Sequence, residues 1–137
     1  MNKHPLVRMY QLINSNDELV QLVKSKQKTQ TDEPPIFTFK IPETYQKTEY
    51  APFIRLTVIN LGNAVYRDND SNHYLFSFAV ETFAKSISEA YEISQKIISI
   101  FKTIYSKCFA QDLSEDEEFS LYSNMLSFRV LLNEKEQ

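Results

Sequence analysis

Few residues of this chain carry side chains that could do chemistry. Cys108 is the single cysteine, and His4 and His73 are the two histidines. A thiol–imidazole nucleophile pair would therefore have to be built from Cys108 and His73. The counts alone exclude an intrachain disulfide and a Cys/His zinc cluster. Because Cys108 ends an apolar stretch, we interpret it as a buried structural residue. A single cysteine that cannot form an intrachain disulfide favours a reducing compartment.

Two groups of carboxylates are the remaining candidates for binding a cation. Asp68 and Asp70 lie in the turn-forming segment 68–72. The second group lacks the spacing and the glycine of an EF-hand loop. We interpret both groups as solvated acidic surface and expect no metal, no cofactor and no catalytic residue. The members of the second group, called the acidic segment below, are Asp112, Glu115, Asp116, Glu117 and Glu118.

Composition excludes several other function classes. Gly62 is the single glycine of 137 residues, whereas the Rossmann fingerprint and the P-loop each need several glycines close together. No run of about 18 apolar residues exists, and residues 1–5 lack the apolar core of a signal peptide. The sequence predicts a protein that makes no membrane contact and stays in the cytoplasm.

Charge is distributed unevenly along the chain. Residues 1–31 contain five Lys or Arg against two carboxylates, and residues 108–137 contain two against seven. The net charge of −3 argues against nucleic acid as the main partner. The two ends of the chain therefore carry net charges of opposite sign. Three lysines of the first region, Lys24, Lys26 and Lys28, lie in a segment that we predict to be a polar loop.

Hydrophobic periodicity and capping residues predict the elements that would position these groups. Two short helices are predicted within 1–30, the second starting at a capping box formed by Ser15 and Glu18. Residues 36–83 alternate as three strands. A second capping box, Ser86 with Glu89, starts a long helix over 86–108. Residues 119–133 are predicted to form a hairpin around Ser123 and Asn124.

This order of elements predicts a single α+β domain over residues 1–137. Helices and strands are segregated, so we expect a mostly antiparallel sheet of four to five strands with the two short helices and the long helix packed on one face. The residues of the long helix that should pack on the sheet are Ile87, Tyr91, Ile97, Ile98, Phe101 and Ile104.

Four loose patterns, in this order, resemble the small tail-terminator (tail-completion) and head–tail joining proteins of long-tailed phages and prophages. They are the helical pair 9–13 (MYQLI) and 16–23 (NDELVQLV), the loop from Pro42-Glu43 to 52–56 (PFIRL), the strand-to-helix joint 78–85 (FAVETFAK) with 90–93 (AYEI), and a closing hairpin. The resemblance covers most of the chain.

The resemblance implies a small α+β domain without catalytic residues. It further implies a hexameric ring that caps the tail tube and joins it to the head. The partners would be other copies of the chain, the tail tube protein and head–tail connector proteins, with DNA only passing through the lumen. The protein would be found in the host cytoplasm during assembly and in the virion tail afterwards.

Two uses of the charged residues in such a ring remain open. Lys24, Lys26 or Lys28 of one copy would approach the acidic segment of the next copy, or the acidic segment would line the lumen and repel DNA. Asp68 and Asp70 are candidates for the same two roles. A function of another class also remains open: a monomeric ligand-binding module or small enzyme with a cleft near Tyr45, Tyr50 and the 62–72 loop.

Overall fold

The computed structural model describes residues 3–63 and 73–133. Five strands and three α-helices confirm the α+β class. Two single-turn 3-10 helices, Glu43–Tyr45 and Thr48–Tyr50, lie between the first two strands. The helices are α1 (Pro5–Asn14), α2 (Asp17–Lys26) and α3 (Ile87–Lys102), and the strands are β1 (Ile36–Thr38), β2 (Phe53–Asn63), β3 (His73–Ala84), β4 (Lys107–Asp116) and β5 (Leu121–Asn133).

Side-chain caps define the helix starts. The Ser86 hydroxyl accepts a hydrogen bond from the Glu89 backbone N–H at 3.2 Å, which confirms Ser86 as the cap of α3. The cap of α2 is Asn16, whose Oδ1 accepts from the Leu19 N–H at 2.9 Å, so the capping box expected at Ser15 is wrong. Ser15 instead donates its hydroxyl to the Gln11 carbonyl at 2.7 Å and closes α1.

The five strands form one sheet in the order β1-β2-β3-β5-β4. The sheet is mixed, which corrects the expectation of a mostly antiparallel sheet: β1 runs parallel to β2, with Ile36 opposite Ile54 and Thr38 opposite Leu56. Residues 39–52 cause this, because they carry the chain back to the starting end of β1 before β2 begins, as any parallel pair requires. The pairs β2–β3, β3–β5 and β4–β5 are antiparallel.

The main core combines residues of all three helices with alternate residues of the strands. Ile54 and Leu56 of β2 and Phe76, Phe78 and Val80 of β3 are buried there, as their alternation predicts. Three phenylalanines join α3 to the centre of the sheet: ring centroids lie 5.2 Å apart for Phe78 and Phe101, 5.3 Å for Phe78 and Phe128, and 4.8 Å for Phe101 and Phe128.

The buried side of α3 differs from the stripe expected from the sequence. Ile87 and Tyr91 are 50% and 57% exposed, and Ile98 is only partly buried. The correction arises because the helix meets the sheet along a line centred on Ile93 and Ile97 rather than on Ile98. The residues that α3 buries are Ala90, Ile93, Ser94, Ile97, Ile100 and Phe101.

The helix α3 also ends earlier than the expected residue 108. The Ser106 N–H donates to the Phe101 carbonyl at 3.0 Å and the Tyr105 N–H to the Lys102 carbonyl at 3.1 Å, which is the bonding pattern of a Schellman motif. Tyr105 takes the left-handed position of this motif, with φ 61°, and is 93% exposed. Glycine usually occupies that position, which explains why the sequence does not reveal the helix end.

The C-terminal hairpin is longer than expected and turns elsewhere. The acidic segment belongs to β4 and to the turn 117–120, and the expected turn at Ser123 and Asn124 is wrong. Asn124 lies inside β5, where its buried side-chain amide donates to the Ser94 hydroxyl at 3.0 Å. Ser120 supplies the left-handed residue of the turn, with φ 55°.

Truncation of Ile97 tests the position of the buried stripe. Ile97 is fully buried, so Ile97→Ala is expected to lower the free energy of unfolding by about 2–5 kcal/mol. Ile98→Ala is the matched control and is expected to cost less, because Ile98 keeps part of its surface in solvent. Urea unfolding measures both, and an equal loss in the two variants would contradict the observed helix orientation.

Replacement of Tyr105 tests the left-handed helix end. Tyr105→Gly is expected to raise the free energy of unfolding by about 1 kcal/mol, because glycine adopts a positive φ without a Cβ clash. Tyr105→Ala keeps the Cβ and serves as the control. A glycine variant no more stable than the alanine variant in urea unfolding would show that this backbone position is not strained.

Candidate functional site

The acidic segment lies along one lateral edge of the sheet. β4 is the last strand of the sheet order and pairs only with β5 among the described residues. Asp112 and Glu115 on the strand are exposed, as are Glu117 and Glu118 in the turn that follows. Asp116 ends the strand, and its Oδ1 accepts a hydrogen bond from the Phe119 N–H at 3.0 Å. Charged side chains on an edge strand oppose uncontrolled pairing with other chains.

Lys24 and Lys26 lie in the last turn of α2, which corrects the loop expected for them, and Lys28 lies in the loop that follows. We call residues 24–28 the basic segment. The Lys24 ammonium donates to the Asp32 carbonyl at 3.0 Å, and the Lys26 ammonium pairs with Glu92 of α3 at 3.0 Å. Lys28 is exposed. Within residues 3–63 and 73–133, no ion pair joins these lysines to the acidic segment.

The basic segment and the acidic segment nevertheless lie at the same end of the sheet. Lys85, directly after β3, donates to the Lys26 carbonyl at 2.8 Å and to the Ala51 carbonyl at 2.7 Å. The basic segment is thereby held where β2 begins. Asp116 is opposite Leu121, and Leu121 packs with residues from the start of β2 and the end of β3 in a second buried cluster.

The remaining sequence candidates do not assemble into a reactive site. Asp68 and Asp70 lie outside the described residues. Cys108 is opposite Phe128, which is opposite Phe78, whereas His73 is five residues away along β3 and two strands across. Five residues of strand span about 16 Å, so the thiol and the imidazole do not meet. Burial raises the pKa of the Cys108 thiol, which keeps it in the poorly nucleophilic neutral form.

Cys108 itself lies elsewhere than expected. It belongs to β4 rather than to the end of α3, and it is partly exposed rather than fully buried. Its Sγ lies 3.4 Å from the Ala110 carbonyl oxygen.

The two tyrosines of the proposed cleft fold back against the protein. Tyr45 stacks on Phe37 with centroids 5.6 Å apart, and Tyr50 meets Tyr45 edge-on at 5.5 Å. Tyr45 packs against the second buried cluster. Most of the 62–72 loop lies outside the described residues, so its relation to these rings is not part of the described structure.

The described part of the chain contains no group of three His, Cys, Asp or Glu side chains placed to hold a metal ion. None of the helices in that part has the length and apolar character needed to cross a membrane.

The sequence did not reveal an ion pair that lies on the sheet face opposite the main core. Arg55 of β2 is directly opposite Glu81 of β3. Its Nε and Nη2 donate to the same Glu81 oxygen at 3.2 and 2.7 Å, and its guanidinium carbon lies 5.2 Å from the centre of the Phe83 ring. The alternation of the two strands puts both residues on the face away from the core, but the pairing requires the register.

The sequence also did not reveal that large apolar side chains are exposed at the two lateral edges of the sheet. At the β1 edge, Phe39 is 60% and Val7 41% exposed, and we call these two residues the Phe39 patch. At the β4 edge, a cavity of about 180 Å³ opens between α3 and β4, and we call it the α3–β4 groove. The sequence signal for such exposed side chains is that the chain has more large apolar residues than its core can bury. The residues that line the groove are Ile87, Tyr91, Gln111, Leu113 and Asn124.

Comparison with known proteins gives a structural likeness without a sequence match. The fold is similar to that of a chain in the virion of a native gene transfer agent particle, with a TM-score of 0.59 and 9% sequence identity. The likeness covers 96% of this chain and 99% of that chain. No protein-family profile and no curated protein sequence matches this chain. At this identity the likeness shows a shared fold.

A double-mutant cycle tests the Arg55–Glu81 pair. Glu81→Gln and Arg55→Met are each expected to lower the free energy of unfolding by about 1–3 kcal/mol, because each leaves a largely buried charge without its partner. The double variant is expected to lose clearly less than the sum of the two. Urea unfolding of the four proteins measures the coupling, and additive losses would mean that the pair contributes nothing.

Proposed function

We propose that this chain is a phage structural protein, a ring-forming tail terminator at the head–tail junction. The observation that carries the proposal is the whole-chain likeness to a component of a virion particle, which leaves almost no part of either chain unmatched. The order of sequence patterns that resembles tail terminators supports the same role independently. We propose a structural rather than a catalytic role, which agrees with the burial that raises the pKa of the Cys108 thiol and with its distance from His73.

The proposed assembly is a closed ring of identical copies, six in number by the resemblance. Such a ring uses heterologous contacts, in which one surface of a copy meets a different surface of its neighbour. The tail tube protein and the head–tail connector proteins would bind its two ends, DNA would only pass through the lumen, and no membrane would be involved. Assembly would take place in the host cytoplasm, and the ring would end in the virion tail.

The charged residues fit the contact between copies. The basic segment lies near the start of β2, and the acidic segment lies on the lateral β4 edge, so a heterologous contact would join two different surfaces of the subunit. Of these three lysines, Lys28 is exposed, whereas Lys24 and Lys26 bind groups of their own chain. The competing role for the acidic segment, with Asp68 and Asp70, is a lumen lining that repels DNA.

Disruption of the coding sequence tests the function directly. In the genome that carries it, the disruption is expected to leave heads and tails unjoined, because the junction lacks its ring. Electron microscopy of the particles measures this, and expression of the intact chain from a plasmid is the control that restores joining. Normal particles from the disrupted genome would contradict the proposal.

Charge reversal separates the two roles of the acidic segment. If the segment contacts a neighbour, Glu115→Lys, Asp116→Lys and Glu117→Lys together should block assembly, and adding Lys28→Glu, the reversal of the exposed lysine, should restore it in part. Assembly should also weaken as the Debye length falls from about 10 Å at 0.1 M salt to about 3 Å at 1 M. Sedimentation velocity measures both effects.

The matched control for these variants is Lys102→Glu, an exposed reversal at the far end of α3 that should change nothing. Assembly that survives both the acidic reversal and high salt would contradict the contact role. Joined particles that no longer transfer DNA would then favour the lumen lining.

A further inference from the structure

The backbone conformation of Phe39 holds its side chain outward from the β1 edge of the sheet. Phe39 directly follows β1 and has φ 64°, a left-handed conformation that is unusual for a bulky residue. Its N–H donates to the Leu56 carbonyl at 2.8 Å, which fixes the residue beside β2. The ring lies beside α1, where Phe39 borders a cavity of about 160 Å³ together with His4 and Val7. The result is an aromatic ring that projects from the β1 edge, on the side of the sheet that carries α1.

The α3–β4 groove is the corresponding apolar feature of the other edge. Its walls are Ile87 and Tyr91 of α3 and Leu113 of β4, which are 50%, 57% and 51% exposed. Its floor includes Asn124, whose side chain is tied to Ser94 of α3. The groove is therefore apolar at its rim, formed by rigid elements and open toward solvent at the β4 edge.

The two features lie at the same level of the sheet. Phe39 bonds to Leu56 of β2, and the register runs from Leu56 through Val80 of β3 and Leu126 of β5 to Gln111 of β4. Gln111 lines the groove. Both features also lie on the side of the sheet that the helices occupy. A ring axis relates neighbouring copies by a rotation. Phe39 and the groove lie at the same level on opposite edges, so they would meet where one copy contacts the next.

Charges beside the two features are of opposite sign. Lys40 is exposed and follows Phe39 directly. Asp112 directly precedes Leu113 on β4 and Glu115 follows it by two residues, and both carboxylates are exposed. A second copy that seats its Phe39 in the groove brings Lys40 toward these carboxylates, whereas the reverse pairing of two like edges brings like charges together. This complementarity favours a second copy of this chain as the occupant.

We propose that Phe39 of one copy inserts into the α3–β4 groove of the next copy and forms the lateral contact of the ring. The proposal rests on the proposed ring function and specifies its interface. It assigns the binding of a neighbouring copy to Ile87, Tyr91 and Leu113, and it gives the acidic strand a direct partner in Lys40.

Cysteine cross-linking tests the contact in the full chain. In a Cys108→Ser background, a Phe39→Cys variant is mixed with a Leu113→Cys variant at up to millimolar concentration under mild oxidation. A covalent dimer is expected from the mixture and not from either variant alone, because the contact joins two different edges. The matched control replaces Phe39→Cys by Leu131→Cys, an apolar position on another face that is 51% exposed.

Removal of the aromatic side chain of Phe39 measures its contribution to self-association without disturbing the fold. Phe39→Asn keeps a residue that tolerates the left-handed backbone and is expected to weaken self-association about tenfold or more, as for an aromatic anchor of an interface. Tyr105→Asn is the matched control, because Tyr105 is also an exposed aromatic residue at positive φ. Sedimentation equilibrium measures association, and circular dichroism checks that both variants are folded.

The outcomes distinguish this contact from the function on which it rests. Absence of the Phe39–Leu113 cross-link, equal cross-linking of the Leu131 control, or undiminished association of Phe39→Asn overturns the contact. In each of these cases, unjoined heads and tails in the disrupted genome would still support the terminator role. Cross-linking of Phe39→Cys to another virion protein in place of a second copy also overturns the proposed occupant.

Discussion

The packing of Phe78, Phe101 and Phe128 is the interaction on which the rest of the fold depends. The three rings join the middle of β3, the last turn of α3 and the middle of β5 within about one ring diameter of one another. This contact fixes the end of α3 over the centre of the sheet, and the hydrogen bond between Asn124 and Ser94 fixes its middle. With its C-terminal turn held at the centre, the helix reaches its first turns over β4, which leaves Ile87 and Tyr91 exposed there. The groove at the sheet edge is thus a consequence of core packing.

The two edges of the sheet solve the same problem in different ways. An open edge invites pairing with any other strand. β1 is only three residues long and is followed by a residue with positive φ, which ends the strand at once. β4 is ten residues long and is protected by carboxylates instead. Both devices leave an exposed apolar side chain beside the protected backbone, Phe39 at one edge and Leu113 at the other.

The sequence predicted elements whose signals are local. The alternation of β3 put Phe76, Phe78 and Val80 on one face, which is the face buried in the main core, and Ser86 marked the start of α3. β4 was missed because Asp112, Ser114 and Glu115 have low strand propensity, and its pairing with β5 overrides that preference. The parallel direction of β1 and the Arg55–Glu81 pair depend on which strands become neighbours, and no local pattern encodes that. The acidic segment was identified correctly as charged surface but not as a strand.

The order of strands in the sheet has a consequence for how the subunit is made. β4 and β5 are joined by a four-residue turn, whereas the pairing of β3 with β5 must enclose the whole of α3. Closing a short loop is fast and closing a long one is slow, so we expect the β4–β5 hairpin to form early. Its carboxylates would then repel other partly folded copies while their apolar surfaces are still uncovered, as gatekeeper charges do. On this view the acidic strand protects the chain during folding, before any mature edge exists for it to meet.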